Sequence, residues 1–180
     1  HIGVHHDGPK NGIVKLMVNP EKPKAVDGVI KALEKADIIV LGPGSLYTSI
    51  IPNLLVDGVV DAIKKSNAVK IYVCNIMSQA GETENYTVSD HLAAIERHSY
   101  EGIADIVIAN NAIIPESLRI KYASEHAREV MIDSINVLKR AKLVQGNLLL
   151  VRSDKIRHNF SRLARTIMRL GSDVNYFENK

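Results

Sequence analysis

Short apolar runs alternate along this chain with longer segments whose apolar residues recur every three or four positions. The runs are short, and Ile38–Leu41 is continuously apolar, which is typical of strands that are buried on both faces of a sheet. They predict strands at Ile13–Val18, Ile38–Leu41, Val69–Cys74, Ile106–Ala109, Val130–Ile132 and Leu148–Val151.

The segments between these runs have the spacing of amphipathic helices. One has a clear start signal, because Thr87 stands three residues before Asp90, as in the aspartate variant of a capping box. The pattern predicts helices at Pro23–Ala36, Leu54–Lys65, Thr87–His98 and Asn159–Leu170.

Alternation of strands and helices predicts an α/β fold, a parallel sheet with helices on both faces. In such a fold, ligands bind outside the carboxyl ends of the strands. A doubly wound nucleotide-binding domain normally starts with a strand and a glycine-rich turn, and no such pair precedes Ile13. We therefore expect residues 1–180 to form the C-terminal portion of a single domain whose N-terminal part is missing.

Composition excludes several classes of protein. Of the 180 residues 46% are hydrophobic and 24% charged, which is ordinary for a globular domain with a core. The only cysteine, Cys74, lies in an apolar run, so a disulfide framework is excluded and a reducing, cytoplasmic location is expected. No apolar stretch approaches the ~20 residues of a membrane span. A net charge of +3 and 4% aromatic residues give no sign of nucleic-acid binding.

The turn after Ile38–Leu41 is the first candidate ligand site. Gly42 and Gly44 permit positive φ and close approach of a phosphate to the backbone, and Ser45 adds a hydroxyl. The turn matches neither the Walker loop, since no lysine follows the glycines, nor the dinucleotide fingerprint. The alternative is a tight structural turn with Ser45 as a helix N-cap.

A long polar loop, residues 75–86, follows the strand Val69–Cys74. Long loops at strand ends are functional more often than short connections are. Asn75 at the strand tip can both donate and accept hydrogen bonds, and Gln79, Glu82 and Thr83 are candidates to bind ribose or sugar hydroxyls. The alternative is a solvated loop.

Later strand ends supply two further candidates. Asn110 follows Ile106–Ala109, although an asparagine there is more often a turn former. Arg157 lies between a predicted strand and the last helix, and its planar guanidinium suits a phosphate. Nothing in the sequence makes a catalytic arrangement or a metal site: His5 and His6 lack helical ligand spacing, and Cys74 fits the core better than a nucleophile.

Several of these segments resemble one known family. The stretch Gly42-Pro43-Gly44-Ser45-Leu46-Tyr47-Thr48-Ser49-Ile50-Ile51-Pro52-Asn53-Leu54-Leu55 is similar to the signature of the gluconeogenesis factors, in the superfamily of 2-phospho-L-lactate transferase (CofD-like proteins). Residues 74–83, 86–91 and 157–159 agree in the right order. Ser78 and Ala80 depart from the threonine and proline expected there.

The resemblance implies a Rossmann-like fold in a cytosolic bacterial protein that binds a uridine-diphosphate sugar such as UDP-N-acetylglucosamine, without a cofactor. It also implies a role in regulating cell shape, the cell wall and carbon metabolism. The family's glycine-rich phosphate loop is absent here, so the resemblance concerns the carboxyl-terminal part. The ligand-binding positions that it carries over are Gly42, Gly44, Ser45, Asn75, Gln79, Glu82, Thr83 and Arg157.

Three functions therefore stay open. The first is a non-catalytic regulator that senses a nucleotide sugar. The second is a transferase that moves a phospholactyl group from a nucleotide-activated donor to a deazaflavin acceptor, which normally needs a metal held by carboxylates. The third is a plain structural subunit, which the two polar strand-end loops disfavour. The sequence leaves open whether the protein forms a homo-oligomer.

Overall fold

A four-stranded parallel sheet forms the centre of the chain. The structure is a computed structural model that describes residues 2–6 and 13–172. The sheet has the order β3-β4-β5-β6, so strands that are consecutive in sequence lie side by side. The strands are β3 (Ile38–Leu41), β4 (Val69–Val73), β5 (Ile106–Asn110) and β6 (Lys142–Gly146). The predicted α/β fold with a parallel sheet is confirmed.

Helices connect these strands and flank them. Two short antiparallel hairpins complete the described chain: β1 (Ile2–His6) pairs with β2 (Ile13–Val18), and β7 (Leu149–Arg152) pairs with β8 (Lys155–His158). The helices are α1 (Val29–Lys35), α2 (Ile51–Leu54), α3 (Val59–Lys65), α4 (Val88–Arg97), α5 (Glu116–Ser124), α6 (Ser134–Leu138) and α7 (Phe160–Ser172). None of these helices is long and apolar enough to cross a membrane.

Both faces of the sheet are buried at its central strands, β4 and β5, because alternate residues of these strands belong to different clusters. Tyr72 and Val107 pack on the face that also receives α2, α3 and α4. Ile71 and Ile108, one residue away along the same strands, pack against Leu163 of α7. This period of two explains why the central strands are continuously apolar in sequence.

Two of the predicted strands, Val130–Ile132 and Leu148–Val151, do not belong to the parallel sheet. Val130–Ile132 is not a strand: Val130 is buried, and its backbone N–H donates to the carbonyl of Ile76. The fourth strand of the sheet is β6, which was not predicted. Leu148–Val151 corresponds instead to β7, which turns back into β8 and does not join the parallel sheet.

The start of the chain also differs from expectation. Ile13–Val18 is a strand as predicted, but a further strand, β1, precedes it, and the two form an antiparallel pair outside the central sheet. The predicted helix Leu54–Lys65 is divided, since α2 ends at Leu54 and α3 begins at Val59. Gly58, with φ of +79°, lies between them and favours the break.

The predicted capping box at the start of α4 is present, and it orients a buried histidine. Thr87 Oγ1 accepts a bond from the Asp90 N–H, and the Asp90 carboxylate accepts from the Thr87 N–H. His91 is fully buried, and its Nδ1 donates to the Thr87 carbonyl at 2.8 Å. Within the described part of the chain its Nε2 has no hydrogen-bond partner. Burial lowers the pKa of His91 below 6.5, so the ring is neutral in the folded protein.

We expect the free energy of unfolding to fall as the pH drops below about 6.5, because the unfolded chain then protonates His91 while the folded chain resists it. The unfolded state binds more protons in this window, so acid favours it. The contribution of this histidine has a limiting slope of about 1.4 kcal/mol per pH unit. Urea unfolding at a series of pH values, on the wild type and on His91→Phe, measures it. An equal pH slope in both proteins would contradict the assignment.

Candidate functional site

The turn after β3 and the tip of β4 meet at one edge of the sheet. β3 and β4 are parallel neighbours, with Leu41 paired to Tyr72, so both strands end on the same side. The side-chain amide of Asn75 donates to the carbonyl oxygen of Gly44 at 2.8 Å. Gly44 and Asn75, two of the candidate ligand-binding residues, are therefore in direct contact at this edge of the sheet.

A cavity of about 650 Å³ opens at this point. Its floor is the turn after β3 and the residues after β4, one wall is the β7–β8 hairpin with α5, and the other wall is α7. The lining residues are Pro43, Gly44, Ser45, Asn75, Ile76, Met77, Tyr122, Ile156, Arg157, His158, Phe160, Leu163, Ala164 and Ile167. A mostly apolar cavity with a few polar groups at one end is typical of small-molecule sites.

Gly42 sets the course of the turn. Its φ is +84°, and a Cβ built on it would lie 2.9 Å from the carbonyl oxygen of Val73. Only glycine satisfies both conditions without displacing backbone. Gly44 has no positive φ, so the expectation of positive φ applies to Gly42 alone. Gly44 instead lies at the cavity surface, where its Cβ would come 3.3 Å from Cβ of Ser49.

Ser45 links this turn to the loop after β4. Its Oγ accepts bonds from the N–H and the hydroxyl of Thr48, so Ser45 is the N-cap of a π-helical turn, Leu46–Ile50, that directly precedes α2. The same hydroxyl donates to Glu82 Oε2 at 2.8 Å, and Gln79 Nε2 donates to Glu82 Oε1 at 2.9 Å. Glu82 and Gln79 thus lie beside the rim at Ser45, although neither is a lining residue of the cavity.

Two predicted site residues hold the backbone instead of facing the cavity. Thr83 is buried, and its Oγ1 accepts the N–H of Gln79, which closes the loop. Asn110 is also buried, where its amide donates to Ala112 and its carbonyl accepts the N–H of Leu148. Both side chains therefore form hydrogen bonds with the backbone, and neither lines the cavity.

Arg157 lies within strand β8, not in a segment between a strand and a helix as predicted. Its side chain is exposed and lines the cavity, with Nη1 donating to the carbonyl of Ile156 at 2.9 Å. Among the described residues that line the cavity it carries the only full charge at neutral pH. It is therefore the group in this lining best suited to an anionic ligand.

His158 stands beside Arg157 and is neutral. Its Nε2 donates to the carbonyl oxygen of Cys74 at 3.2 Å, which ties the hairpin to the end of β4. Burial lowers the pKa of His158 below 6.5, more than this bond raises it. Burial also raises the pKa of the Cys74 thiol to about 12, which fits a core residue and not a nucleophile. Within residues 2–6 and 13–172, no group of three or more His, Cys, Asp or Glu side chains is placed to hold a metal.

Two aromatic lining residues were missed from the sequence. Tyr122 belongs to α5, and its hydroxyl accepts the N–H of Ile156, which fixes the hairpin against that helix. Phe160, the first residue of α7, lies at the cavity with 73% of its surface exposed. Phe160 falls within the predicted helix Asn159–Leu170, but the cavity beside it depends on the hairpin, which was not predicted.

Comparison with known proteins identifies the family. The family model described as 2-phospho-L-lactate transferase CofD matches residues 2–168. The chain belongs to the CofD family. It is 42% identical over 164 residues to the gluconeogenesis factor of Halalkalibacterium halodurans and 38% identical over 160 residues to that of Bacillus subtilis. These matches cover 89% and 88% of the chain. The resemblance to the gluconeogenesis factors is thus confirmed.

Solved structures agree with this assignment. A crystal structure of a UPF0052-family protein from Bacillus halodurans superposes with a TM-score of 0.84 at 41% identity and covers 87% of this chain. The Rossmann-like fold of the CofD family is therefore confirmed. The chain spans about half the length of these relatives, 51% of the H. halodurans protein and 51% of the solved chain.

Proposed function

We propose that this member of the CofD family is a binding protein for a nucleotide sugar of the UDP-N-acetylglucosamine type, and that it regulates bacterial cell shape, the cell wall and carbon metabolism in the cytoplasm. The relatives named gluconeogenesis factor support the regulatory role. The sugar nucleotide is the ligand whose chemistry agrees best with the groups around the cavity.

The cavity at the carboxyl edge of β3 and β4 is the observation that carries this proposal. Arg157 offers a planar guanidinium for a diphosphate, and Gly44 lets the backbone approach it closely. Carboxylate and amide groups of Glu82 and Gln79 lie beside the rim, where ribose or sugar hydroxyls can bind them. The apolar wall of α7 suits a base. These groups bind and orient a ligand, and none of them is arranged as a nucleophile with its base.

The alternative is a 2-phospho-L-lactate transferase-type enzyme, and the name of the matching family model favours it. The two functions differ in nucleotide: a uridine-diphosphate sugar for the regulator, a guanosine-diphosphate donor for the transferase. A transferase would also consume its donor in the presence of a deazaflavin acceptor. Ligand preference and turnover therefore separate the two.

We expect UDP-N-acetylglucosamine to raise the melting temperature of the intact protein. A ligand that binds only the native state adds about 2.7 kcal/mol to the free energy of unfolding when its concentration is a hundred times Kd. Differential scanning fluorimetry over a ligand series measures the shift, with free N-acetylglucosamine as the control that lacks the diphosphate.

Two results would count against the regulator. The first is an unchanged melting temperature at millimolar UDP-N-acetylglucosamine. The second is a shift with guanosine diphosphate and none with any uridine nucleotide, which would favour the transferase alternative. A shift caused equally by free N-acetylglucosamine would show that the diphosphate is not recognised.

A further inference from the structure

Positive charge is concentrated at one end of this chain. Residues 139–172 contain nine lysines and arginines and a single carboxylate, Asp154, although the net charge of the whole chain is only +3. One of these cations, Arg140, is neutralised by an ion pair with Glu96. Six of the other eight lie on exposed side chains of the β7–β8 hairpin and of α7.

The outer face of α7 carries a basic stripe. Arg162, Arg165 and Arg169 are three and four residues apart, so they lie on one side of the helix, and all three are exposed. Arg162 and Arg165 donate to backbone carbonyls, of Asn147 and Ser161, and among the described residues neither guanidinium forms an ion pair with a carboxylate. The stripe thus keeps its charge available to an anionic surface.

An exposed apolar stripe runs beside the basic one. Phe160, Ala164 and Met168 are four residues apart on α7, and Phe160 and Met168 are 73% and 62% exposed. They are not the residues that hold the helix on the sheet, since Leu163, Ile167 and Leu170 do that. The helix can therefore present Phe160 and Met168 outward without losing its packing.

We propose that the outer face of α7 docks on an anionic membrane surface, with Arg165 and Arg169 among the lipid phosphates and Met168 in the apolar boundary below them. A helix of thirteen residues is about 20 Å long, enough to lie along the interface. A lipid surface accepts both stripes at once, because it places negative headgroups directly over hydrocarbon. Arg165, Met168 and Arg169 lie outside the lining of the cavity, whereas Phe160 and Ala164 also border it, and the docking does not depend on the ligand proposed there.

Other anionic partners would contact the basic stripe but not the apolar one. A nucleic acid would neutralise the arginines but leave Met168 in water, and the described outer face of α7 offers one aromatic ring, Phe160, for base stacking. An acidic protein would need its own apolar patch in register with the stripe. The membrane is therefore the partner that the two adjacent stripes favour, and the others become outcomes of the test.

Sedimentation of the intact protein with lipid vesicles tests this. We expect it to bind vesicles made of equal parts phosphatidylglycerol and phosphatidylcholine at low salt, to bind pure phosphatidylcholine far less, and to be released by about 0.5 M salt. Each cation near the surface contributes about a fivefold change in partitioning, so Arg165→Gln with Arg169→Gln lowers binding roughly 25-fold. Met168→Ala lowers it about fivefold through the lost apolar contact.

The matched control is Lys31→Gln with Lys35→Gln, which removes the same charge from exposed positions of α1. It should bind vesicles like the wild type. The proposal is overturned if the wild type does not sediment with anionic vesicles or if the control loses as much binding as the α7 variant. It is equally overturned if Met168→Ala has no effect while duplex DNA binds as tightly as the vesicles. An unchanged melting temperature of each variant shows that the fold is intact.

Discussion

Replacing Gly42 with alanine should destabilise the protein by about 3 kcal/mol or more, the largest effect of any single change at the site. The new Cβ would have to adopt a φ of +84° and would lie 2.9 Å from the carbonyl oxygen of Val73 and 3.1 Å from Ile50 Cδ1. Since the first of these neighbours is backbone, it cannot move aside as a side chain end can. Urea unfolding of wild type and variant measures the loss.

Gly102 provides a matched control for this prediction. Its φ is +80°, close to that of Gly42, but a Cβ there would meet nothing within 4 Å. Gly102→Ala therefore includes only the cost of the left-handed backbone, about 1–2 kcal/mol. If the free energy of unfolding falls equally in the two variants, the close approach between the turn and β4 does not add to the cost of a Cβ at Gly42. The role assigned to Gly42 would then be wrong.

Replacing Arg157 with alanine should weaken UDP-N-acetylglucosamine binding by about 1.5–3 kcal/mol, or between about 10-fold and 150-fold in Kd. A charge-assisted bond to a diphosphate oxygen has this magnitude, and Arg157 is the charged group in the described lining of the cavity. Because the guanidinium is exposed, its removal should leave the free energy of unfolding nearly unchanged. Calorimetric titration of the variant gives the loss directly.

Arg152 on the neighbouring strand of the hairpin is the appropriate control. It is exposed, carries the same charge and does not line the cavity. Arg152→Ala should keep the wild-type affinity. Equal losses in the two variants would mean that only the net charge of the hairpin matters, and a wild-type affinity in Arg157→Ala would remove this residue from the site.

The interior of the sheet was predictable because burial on both faces leaves a clear trace in sequence. Ile38–Leu41 was predicted with the bounds that the structure has, and Val69–Cys74 and Ile106–Ala109 each differ from their strands by one residue. The outer strand β6 was missed because Lys142 and Gln145 are exposed, so its sequence looks polar. Its position follows only from pairing with β5.

The helix α5 and the β7–β8 hairpin left weaker signals. Only Leu118 of α5 is buried, so the helix has no apolar stripe to detect. The hairpin turns at Ser153 and Asp154, which both have positive φ, and neither is the glycine that usually marks such a turn. Because one wall of the cavity consists of these two elements, Tyr122 was not recognised as a lining residue.

The candidate site was predictable where it depends on strand direction. Gly44 and Asn75 come together because β3 and β4 are parallel and adjacent. Asn110 follows a strand of the same sheet, yet its amide is used by Leu148 at the start of the hairpin. Strand ends therefore indicate the edge at which to look, but the local hydrogen bonds decide which polar side chains are available to a ligand.

A crystal structure of the protein with UDP-N-acetylglucosamine is the most direct test of the central claim. We predict that the diphosphate lies in the cavity between the Gly44–Ser45 turn and Arg157, within hydrogen-bond distance of the guanidinium. A ligand bound elsewhere, for example in the groove of about 560 Å³ on the outer side of β3, would contradict the account. An empty cavity would also contradict it, if the protein has been shown to bind UDP-N-acetylglucosamine in the solution from which the crystals grew.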